Sequence, residues 1–446
     1  MFKKFSFKGG VHPSHSKSQT EKLAIETFSA PSQVIIPLSQ HIGAPAKPLV
    51  KRGDRVLIGQ PIAEPAGFVS STIHSSVAGK VLSVTPFTHP LGKRVMAVEI
   101  ENDGSEEKAE FTPFEKPWRE AAPGELVQKI ASSGIVGMGG ASFPTQVKLS
   151  PPSNKPVDTL IINGAECEPY LTADHRLMLE RTEDLLTGMI ILKKILGAKE
   201  CFIGIEDNKE DAIEAISKML EDTRFKDIKL AVLKSKYPQG GEKQLINAIT
   251  KRQVPSAGLP MDVGCVVQNV GTSLAIHDAI FSGTPLYERV VTVTGPAVGS
   301  PKNLLVRIGT PMKALLEACD TDFSRMKKLI MGGPMMGLAQ SELDVPVIKS
   351  TSGILAYDKT TPAVKSHPCI NCGMCVRACP IRLVPSRLAK MVEKEKIDEA
   401  LEWNMMDCVE CGSCAYVCPS KINIVQFVKL GKFTVQARKV AEKKQK

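Results

Sequence analysis

Aromatic residues make up only 5% of the 446-residue chain, with two tryptophans, and no apolar run approaches the about 18 residues that a membrane-spanning helix needs. Stretches such as MIILKKILGA are cut by lysines after a few positions, so no bilayer-crossing segment is expected. The opening MFKKFSFKGGVHPSHSK is basic but lacks an apolar core and a small-residue cleavage site. A secretory leader is therefore not expected, and a cytoplasmic setting with reduced thiols is. At 5% aromatic the chain has few residues to stack on bases, which speaks against nucleic acid as a partner.

What the sequence does have is turn formers and cysteine. The 34 glycines and 31 prolines suggest short modules, and the length suggests roughly two to four domains. The formal charge of +10 is uneven: residues 1–22 carry +4 and 361–446 carry +7, while the span between is near neutral. The tail KLGKFTVQARKVAEKKQK reads as a solvated helix end or as a surface for an acidic partner or an anionic membrane face. Twelve cysteines in a reducing compartment are metal ligands or core residues sooner than six disulfides, and eight of them fall between Cys369 and Cys418.

Along the chain, a basic segment (1–30) precedes short β-branched runs bounded by Gly, Pro and Asp (31–112). The strings VKRGDRVLIGQPIAEP and IHSSVAGKV resemble the barrel-sandwich hybrid of biotinyl and lipoyl carriers. The hairpin between them, about Ala66 to Val69, has no lysine to modify, so an unmodified copy of that fold is expected and a carrier role is not. From 113 to 285 strands and helices alternate: VDTLIINGA, a helix from Arg176 to Leu196, ECFIGIED, a helix from Lys209 to Leu220, IKLAVLK, and a helix from Glu242 to Thr250. This pattern predicts a Rossmann-like parallel sheet whose ligand sits at the carboxyl ends of the strands. Residues 286–350 predict a small α+β module, and 351–430, followed by a basic tail (431–446), hold the cysteine repeat.

That repeat is CxxCxxCxxxCP written twice: Cys369, Cys372, Cys375, Cys379 and Cys408, Cys411, Cys414, Cys418. Three thiolates from one loop can cap a face of a [4Fe–4S] cubane, with the fourth supplied from elsewhere. Zinc usually takes two CxxC pairs and has no use for the third cysteine or the Cys-Pro. Two cubanes are expected. The two-cluster ferredoxin pattern implies crossed ligation, with Cys369, Cys372, Cys375 and Cys418 on one cluster and Cys408, Cys411, Cys414 and Cys379 on the other. Helical spacing at Leu388, Met391, Val392, Ile397, Ala400 and Leu401 predicts a helical ferredoxin-like domain.

The loop GIVGMGGASFPTQVK (134–148) could bring bare backbone amides and a lysine to a phosphate, although such turns are common. It is followed by NGAECEPYL, YPQGGEKQLINAI and VVQNVGT. In this order the strings resemble those of the flavin-bearing NADH-binding subunit of respiratory complex I. With the opening FKGGVHPSHSK, the carrier-like module and the cysteine repeat, nearly the whole chain resembles the RnfC family, the C subunits of Rnf (Rsx) electron-transport complexes. The resemblance implies non-covalent FMN on Gly137, Gly139, Gly140 and Lys148, with Asn163 and Asn269 bonded to the flavin. It also implies Phe143 beside the nicotinamide and Glu168 and Glu242 lining the nucleotide site. Ala165 and Lys243 depart from the acidic residues of the complex I strings. The resemblance further implies an SLBB-like, β-grasp-like fold for 286–350.

The expected function is that of an NAD-linked flavin/iron–sulfur oxidoreductase subunit, part of a translocase that couples ferredoxin:NAD electron transfer to Na⁺ or H⁺ movement. No catalytic acid or base is expected. Partners implied are the other subunits of the membrane-bound complex, NADH, and ferredoxin indirectly, with the chain peripheral on the cytoplasmic face. The rival readings are a cobalamin reductase of the propanediol-utilisation type and a cluster-bearing scaffold without its own nucleotide site. Cys167 is read as a small buried residue, not a redox thiol.

Overall fold

The computed structural model describes residues 4–359 and 365–445. The alternating part folds as expected into a four-stranded sheet, parallel throughout, in the order Ile228–Leu233, Glu200–Glu206, Thr159–Gly164, Cys265–Asn269. Its connections leave Thr159–Gly164 in opposite directions, so Asn163 and Asn269 end side by side at the point where the strand order reverses. That is where an open α/β sheet leaves a crevice.

The helix Thr182–Leu196 shows how sequence builds the layer over this sheet. Glu183 and Asp184 sit in its positive first turn, Lys193 and Lys194 in its negative last turn, and Gly197 closes it at φ 62°. Leu185, Leu186, Met189, Leu192 and Ile195 line its buried face. The predicted helix from Arg176 begins instead as Ala173–Glu180 and breaks at Arg181, whose φ of −134° takes the backbone out of the helix. The Arg181 guanidinium bonds to Asp184 and Asp278.

The β-rich part preceding it is a sandwich. One sheet runs Gln33–Pro37, Arg94–Asn102, Gly79–Thr88, Arg55–Val56, and the other Lys47–Pro48, Pro61–Glu64, Ile73–His74. Val34, Ile36, Val56, Ile62, Val81 and Ile100 fill the space between them. Phe68, on the hairpin where a carrier would hold its lysine, is 74% exposed.

The third sheet draws on chain outside 286–350. Its order is Ile25–Thr27, Lys302–Arg307, Glu288–Thr294, Gly353–Tyr357, Lys328–Met331, Leu338–Gln340. Ile25–Thr27 comes from the segment read as a separate basic opening. Gly353–Tyr357 comes from the stretch assigned to the cysteine-bearing part, and its apolar run Ile354, Leu355, Ala356 is fully buried between two strands. The cysteine-rich part is helical, as expected, with Leu388, Met391, Val392, Ile397 and Ala400 in its core. Its last helix, Ile424–Gln445, runs through the boundary placed at 430. Among the described residues no helix is long and apolar enough to cross a membrane.

The three modules preceding the cysteines meet on one buried lysine. Lys349 is fully buried, and its Nζ donates to the carbonyls of Thr72 (2.8 Å) in the sandwich and Gly134 (2.6 Å) before the glycine loop. Its backbone carbonyl accepts from Arg289 Nη1, and its N–H donates to Gln40 Oε1. Burial pushes its pKa from 10.5 down to about 7. A neutral amine has two N–H groups for those two carbonyls.

Between about pH 7 and 10.5 the unfolded chain binds a proton here that the folded chain does not, so this group's contribution to stability rises with pH across that window. Lys349→Met leaves two buried carbonyls unpaired, at about 1–3 kcal/mol each. The expected loss of stability is larger at pH 9 than at pH 7, by up to about 2.7 kcal/mol. Denaturant midpoints of both proteins at the two pH values check this; a loss independent of pH would mean that the buried lysine keeps its proton.

Candidate functional site

The glycine loop closes at its neck. Val136 pairs with Pro144, Gly137 N–H donates to the Phe143 carbonyl (2.9 Å), and Thr145 N–H to that of Ile135. Its exposed tip, Gly139 and Gly140, reaches the end of the strand Cys265–Asn269. A Cβ on Gly139 would lie 2.7 Å from Asn269 Nδ2, whereas one on Gly140 would meet nothing within 4 Å. Met138 N–H donates to Thr272 Oγ1, and Arg289 Nη1 donates to the Met138 carbonyl, so the loop is held from both sides.

Asn269 caps the helix Val270–Phe281 by accepting from Gly271 N–H, and its Nδ2 donates to Asp174 (2.6 Å). Asn163 Nδ2 donates to the Gly240 carbonyl (2.8 Å), which fixes the turn of the QGG string against the neighbouring strand end. Lys148 Nζ donates to Glu242 (2.9 Å) and to the Val267 carbonyl (3.1 Å). The fold therefore gathers Gly137, Gly139, Gly140, Lys148, Asn163, Glu242 and Asn269 at the ends of two neighbouring strands, where an open α/β sheet offers a crevice. Phe143 is half-buried at the base of the loop.

These strand ends suit a phosphorylated ligand. They offer unshielded amides at Gly139 and Gly140 and one ammonium. Gln239 and Gln268, which precede Gly240 and Asn269, are buried, and their side-chain amide atoms have no partner among the described residues.

Glu168 is turned elsewhere. Its carboxylate accepts from the N–H groups of Met335 (3.0 Å) and Met336 (2.9 Å) and lies 3.4 Å from the Tyr237 hydroxyl, and burial raises its pKa. Adjacency to Asn163 in sequence misleads here, because the turn after the strand carries Glu168 to the side facing the cysteines. Cys167 Sγ accepts from Gly240 N–H, and burial raises its pKa, so the thiol is held protonated as a packing group.

Four charged residues at the strand ends carried no signal that would have singled them out. Asp174, beside Asn269, is pushed up to about 7 by burial and then by the charge of Glu166. Glu166 itself accepts from the N–H groups of Asp174 and His175. Lys17, buried, donates to the Glu166 carbonyl (2.8 Å) and to that of Leu171. Arg289 is also buried, and desolvation brings it down to about 10. Only their convergence in three dimensions reveals them.

The eight clustered cysteines form two sets of four. Cys379, Cys408, Cys411 and Cys414 line one cavity, walled by Leu383, Leu388, Ile424 and Val428. Cys369, Cys372, Cys375 and Cys418 line the second, with Asn371 and Ser420. Each set takes its fourth thiol from the other repeat. No three His, Cys, Asp or Glu side chains among the described residues converge on a point suited to a single ion. Thiols spread around a cavity suit a polynuclear cluster.

The repeats are locally alike: Gly373 and Gly412, both left-handed, precede the short helices Met374–Ala378 and Ser413–Tyr416. Their surroundings differ. In the first cavity, Cys379, Cys411 and Cys414 are buried and Cys408 is half-buried, and burial raises Cys408 to about 11 and Cys414 to about 12. Cys369 and Cys372 of the second are exposed.

The N-terminal segment joins crevice to cavity. Val11 and Tyr237 exchange backbone hydrogen bonds of 2.8 Å, and Gly10 N–H donates to the Ala378 carbonyl (2.8 Å). Tyr237, Cys167, Met335 and Cys411 pack in one cluster. Gly9, at φ +87°, leaves room for the chain: a Cβ there would lie 2.7 Å from the Cys379 carbonyl oxygen.

Three family profiles match the chain: the RnfC Barrel sandwich hybrid domain over residues 5–105, the Nuo51 FMN-binding domain over 130–278, and a 4Fe-4S dicluster domain over 368–422. The chain is 50% identical over 426 residues to the C subunit of the "Proton-translocating ferredoxin:NAD(+) oxidoreductase complex" of Clostridium ljungdahlii, covering 95% of this chain and 93% of the relative. It is 46% identical to the C subunit of the "Na(+)-translocating ferredoxin:NAD(+) oxidoreductase complex" of Acetobacterium woodii, covering 97% and 98%. Among solved structures, the NAD+-reducing [NiFe]-hydrogenase in its H2-reduced state is similar at a TM-score of 0.50. The identity is 20%, over 71% of this chain and 63% of that one, a likeness of fold alone.

Gly9→Ala forces a methyl group onto the Cys379 backbone at a left-handed position that itself costs about 1 kcal/mol for alanine. The variant is expected to retain less iron per chain than the parent while keeping its flavin. Iron and flavin assays after gel filtration check this, and an unchanged iron-to-flavin ratio would contradict it.

Proposed function

The chain belongs to the RnfC family, the C subunits of ion-translocating ferredoxin:NAD(+) oxidoreductase complexes, and from that premise we propose how its residues divide the work. It is an electron-transfer subunit with FMN and [4Fe–4S] cofactors, and the cobalamin-reductase and scaffold readings fall away.

The strand-end crevice is the FMN and NADH site. Gly137, Gly139 and Gly140 present backbone amides to the phosphate, and Lys148 turns from Glu242 to neutralise it. Asn163 and Asn269 orient the flavin ring, with Phe143 and Glu242 toward the nicotinamide nucleotide. Glu168, assigned to that site by resemblance, instead clamps the Met335–Met336 turn. Bound FMN would supply the conversion between a hydride pair and the single electrons that iron–sulfur clusters carry.

Cys408, Cys411, Cys414 and Cys379 hold an inner cluster; Cys369, Cys372, Cys375 and Cys418 hold an outer one. The observation that supports this division is the crossed lining of the two cavities, with Tyr237 packed between the crevice and Cys411. The mixed sheet with the helix Met312–Ala318 is assigned to the β-grasp-like SLBB class. The chain sits peripherally on the cytoplasmic face of its membrane partners and exchanges electrons between NADH and, through those partners, ferredoxin.

NADH added anaerobically to the purified protein is expected to bleach the flavin absorbance, with ~8 irons per chain and no stoichiometric zinc. A flavin that stays oxidised overturns the nucleotide assignment. Crossed ligation makes a second demand: Cys379→Ala and Cys408→Ala should give one spectroscopic lesion, and Cys418→Ala and Cys369→Ala the other. Electron paramagnetic resonance of the four reduced variants decides it, and Cys379→Ala grouping with Cys369→Ala refutes the crossing.

A further inference from the structure

The outer cavity opens through an uncharged centre. Cys369 and Cys372 are exposed, as are Ile370 (67%), Met374 (39%) and Val376 (37%) around them. The charge about this centre has one sign. From Lys359 to Val392 the sequence has six cations, Lys359, Lys365, Arg377, Arg382, Arg387 and Lys390, and no Asp or Glu. From Cys411 to Ala441 it has five more, again with no Asp or Glu.

Position brings several of these to the rim. Lys421 lies between Ser420 and Ile422, both of which line the cavity. The segment carrying Lys365 runs along it, with His367 N–H donating to the Ser420 carbonyl and Ser420 Oγ to that of Pro368. Arg377 follows the lining residue Val376. Lys365, Arg377 and Lys421 are all exposed, and none has an ion-pair partner among the described residues. Three cations of the last helix differ: Lys429 and Lys432 face Glu410, and Arg438 faces Asp398. Three cations without an ion pair among the described residues thus lie beside the lining of the outer cavity.

We propose that this rim is the docking surface for an acidic protein surface that carries its own one-electron iron–sulfur centre. The inference rests on the reading of Cys369, Cys372, Cys375 and Cys418 as cluster ligands and names the partner that meets that cluster. None of the four inner cysteines is exposed and two of the outer four are, which leaves the outer cavity as the place where a second redox centre can come close. A small apolar centre ringed by unpaired cations selects an acidic partner and speeds its encounter. An anionic bilayer would satisfy the charge, but it offers no redox centre to the exposed thiolates.

The test uses the holoprotein, with an acidic plant-type [2Fe–2S] ferredoxin as probe and a basic c-type cytochrome as counter-probe. Affinity for each is measured by surface plasmon resonance between roughly 50 and 300 mM salt. The parent is expected to bind the ferredoxin more tightly than the cytochrome and to lose that binding as salt rises. Lys365→Glu/Arg377→Glu/Lys421→Glu should weaken ferredoxin binding by about tenfold or more and flatten its salt dependence. Iron content, flavin content and NADH:hexacyanoferrate activity should match the parent.

Lys421→Glu alone, with the salt titration of the parent, gives the same reading if the triple variant does not fold. Unchanged ferredoxin affinity in a fully loaded variant overturns the proposal. So does charge reversal that abolishes binding to phosphatidylserine vesicles and leaves ferredoxin affinity intact, which would make the rim a membrane face. Loss of iron or flavin from the parent itself would strike the cofactor reading instead.

Discussion

A seam of backbone hydrogen bonds joins the two halves of this molecule that have chemistry to do. Val11 pairs with Tyr237 on the turn beyond the parallel sheet, and Gly10 donates to Ala378, the residue before Cys379. Geometry leaves no slack there. A Cβ on Gly9 would press on Cys379, and one on Gly10 would lie 2.6 Å from the Tyr237 carbonyl oxygen. Two adjacent glycines at positive φ are what let a strand lie between two domains at backbone contact distance. The separation between strand-end crevice and inner cavity is therefore set by backbone, which is stiffer than any pair of facing side chains.

The same region is built around buried charge. Lys17, Lys209 and Glu206 are each nearly inaccessible, and both lysines spend N–H groups on carbonyls of the loop after Asn163. Irregular loops at strand ends cannot satisfy one another's carbonyls as a sheet does, and each unpaired one costs on the order of 1–3 kcal/mol. A lysine reaching in from another segment answers that need at the expense of its own desolvation. Burial lowers the pKa of Lys17 and raises that of Glu206, so both feel that penalty. Ion pairs of this kind add little net stability, but removing one partner is costly, which ties the N-terminal segment to the loop it covers.

Much of this was legible in the sequence because local signals and tertiary outcome agree. The doubled cysteine motif, the strand–helix alternation and the helical insert at Leu388 to Leu401 read directly, and the helix Glu242–Thr250 falls on its expected bounds. What was not legible depends on partners far away in sequence. Ile25–Thr27 is a strand only because Asn303 to Leu305 lies beside it, and Gly353–Tyr357 is buried only because two strands flank it. Lys349 and Lys17 look like surface lysines until three modules close over them. Glu168 went astray for a related reason, since resemblance carries over a position in a string and not the direction in which a turn aims it.

Two copies of one ligand string need not make two equivalent centres. Their loops share a left-handed glycine and a short helix, yet one cavity lies beneath Tyr237, Met335 and the N-terminal segment, while the other keeps two cysteines at the surface. Solvent exposure and hydrogen bonds to the sulfurs set the potential of an iron–sulfur cluster. Around Cys379 and Cys408 the backbone N–H groups of Leu383 and Glu410 approach sulfur at 3.3 and 3.4 Å in an apolar enclosure. Cys369 and Cys372 instead face solvent. With the proposed clusters in place, desolvation at the inner site would disfavour its more negative reduced state, while the Leu383 and Glu410 N–H groups and Lys432, which donates to the Cys408 carbonyl, would favour it. The two ligand strings share one spacing, so a difference in potential between the two proposed centres has to come from burial, from hydrogen bonds to sulfur and from nearby charge.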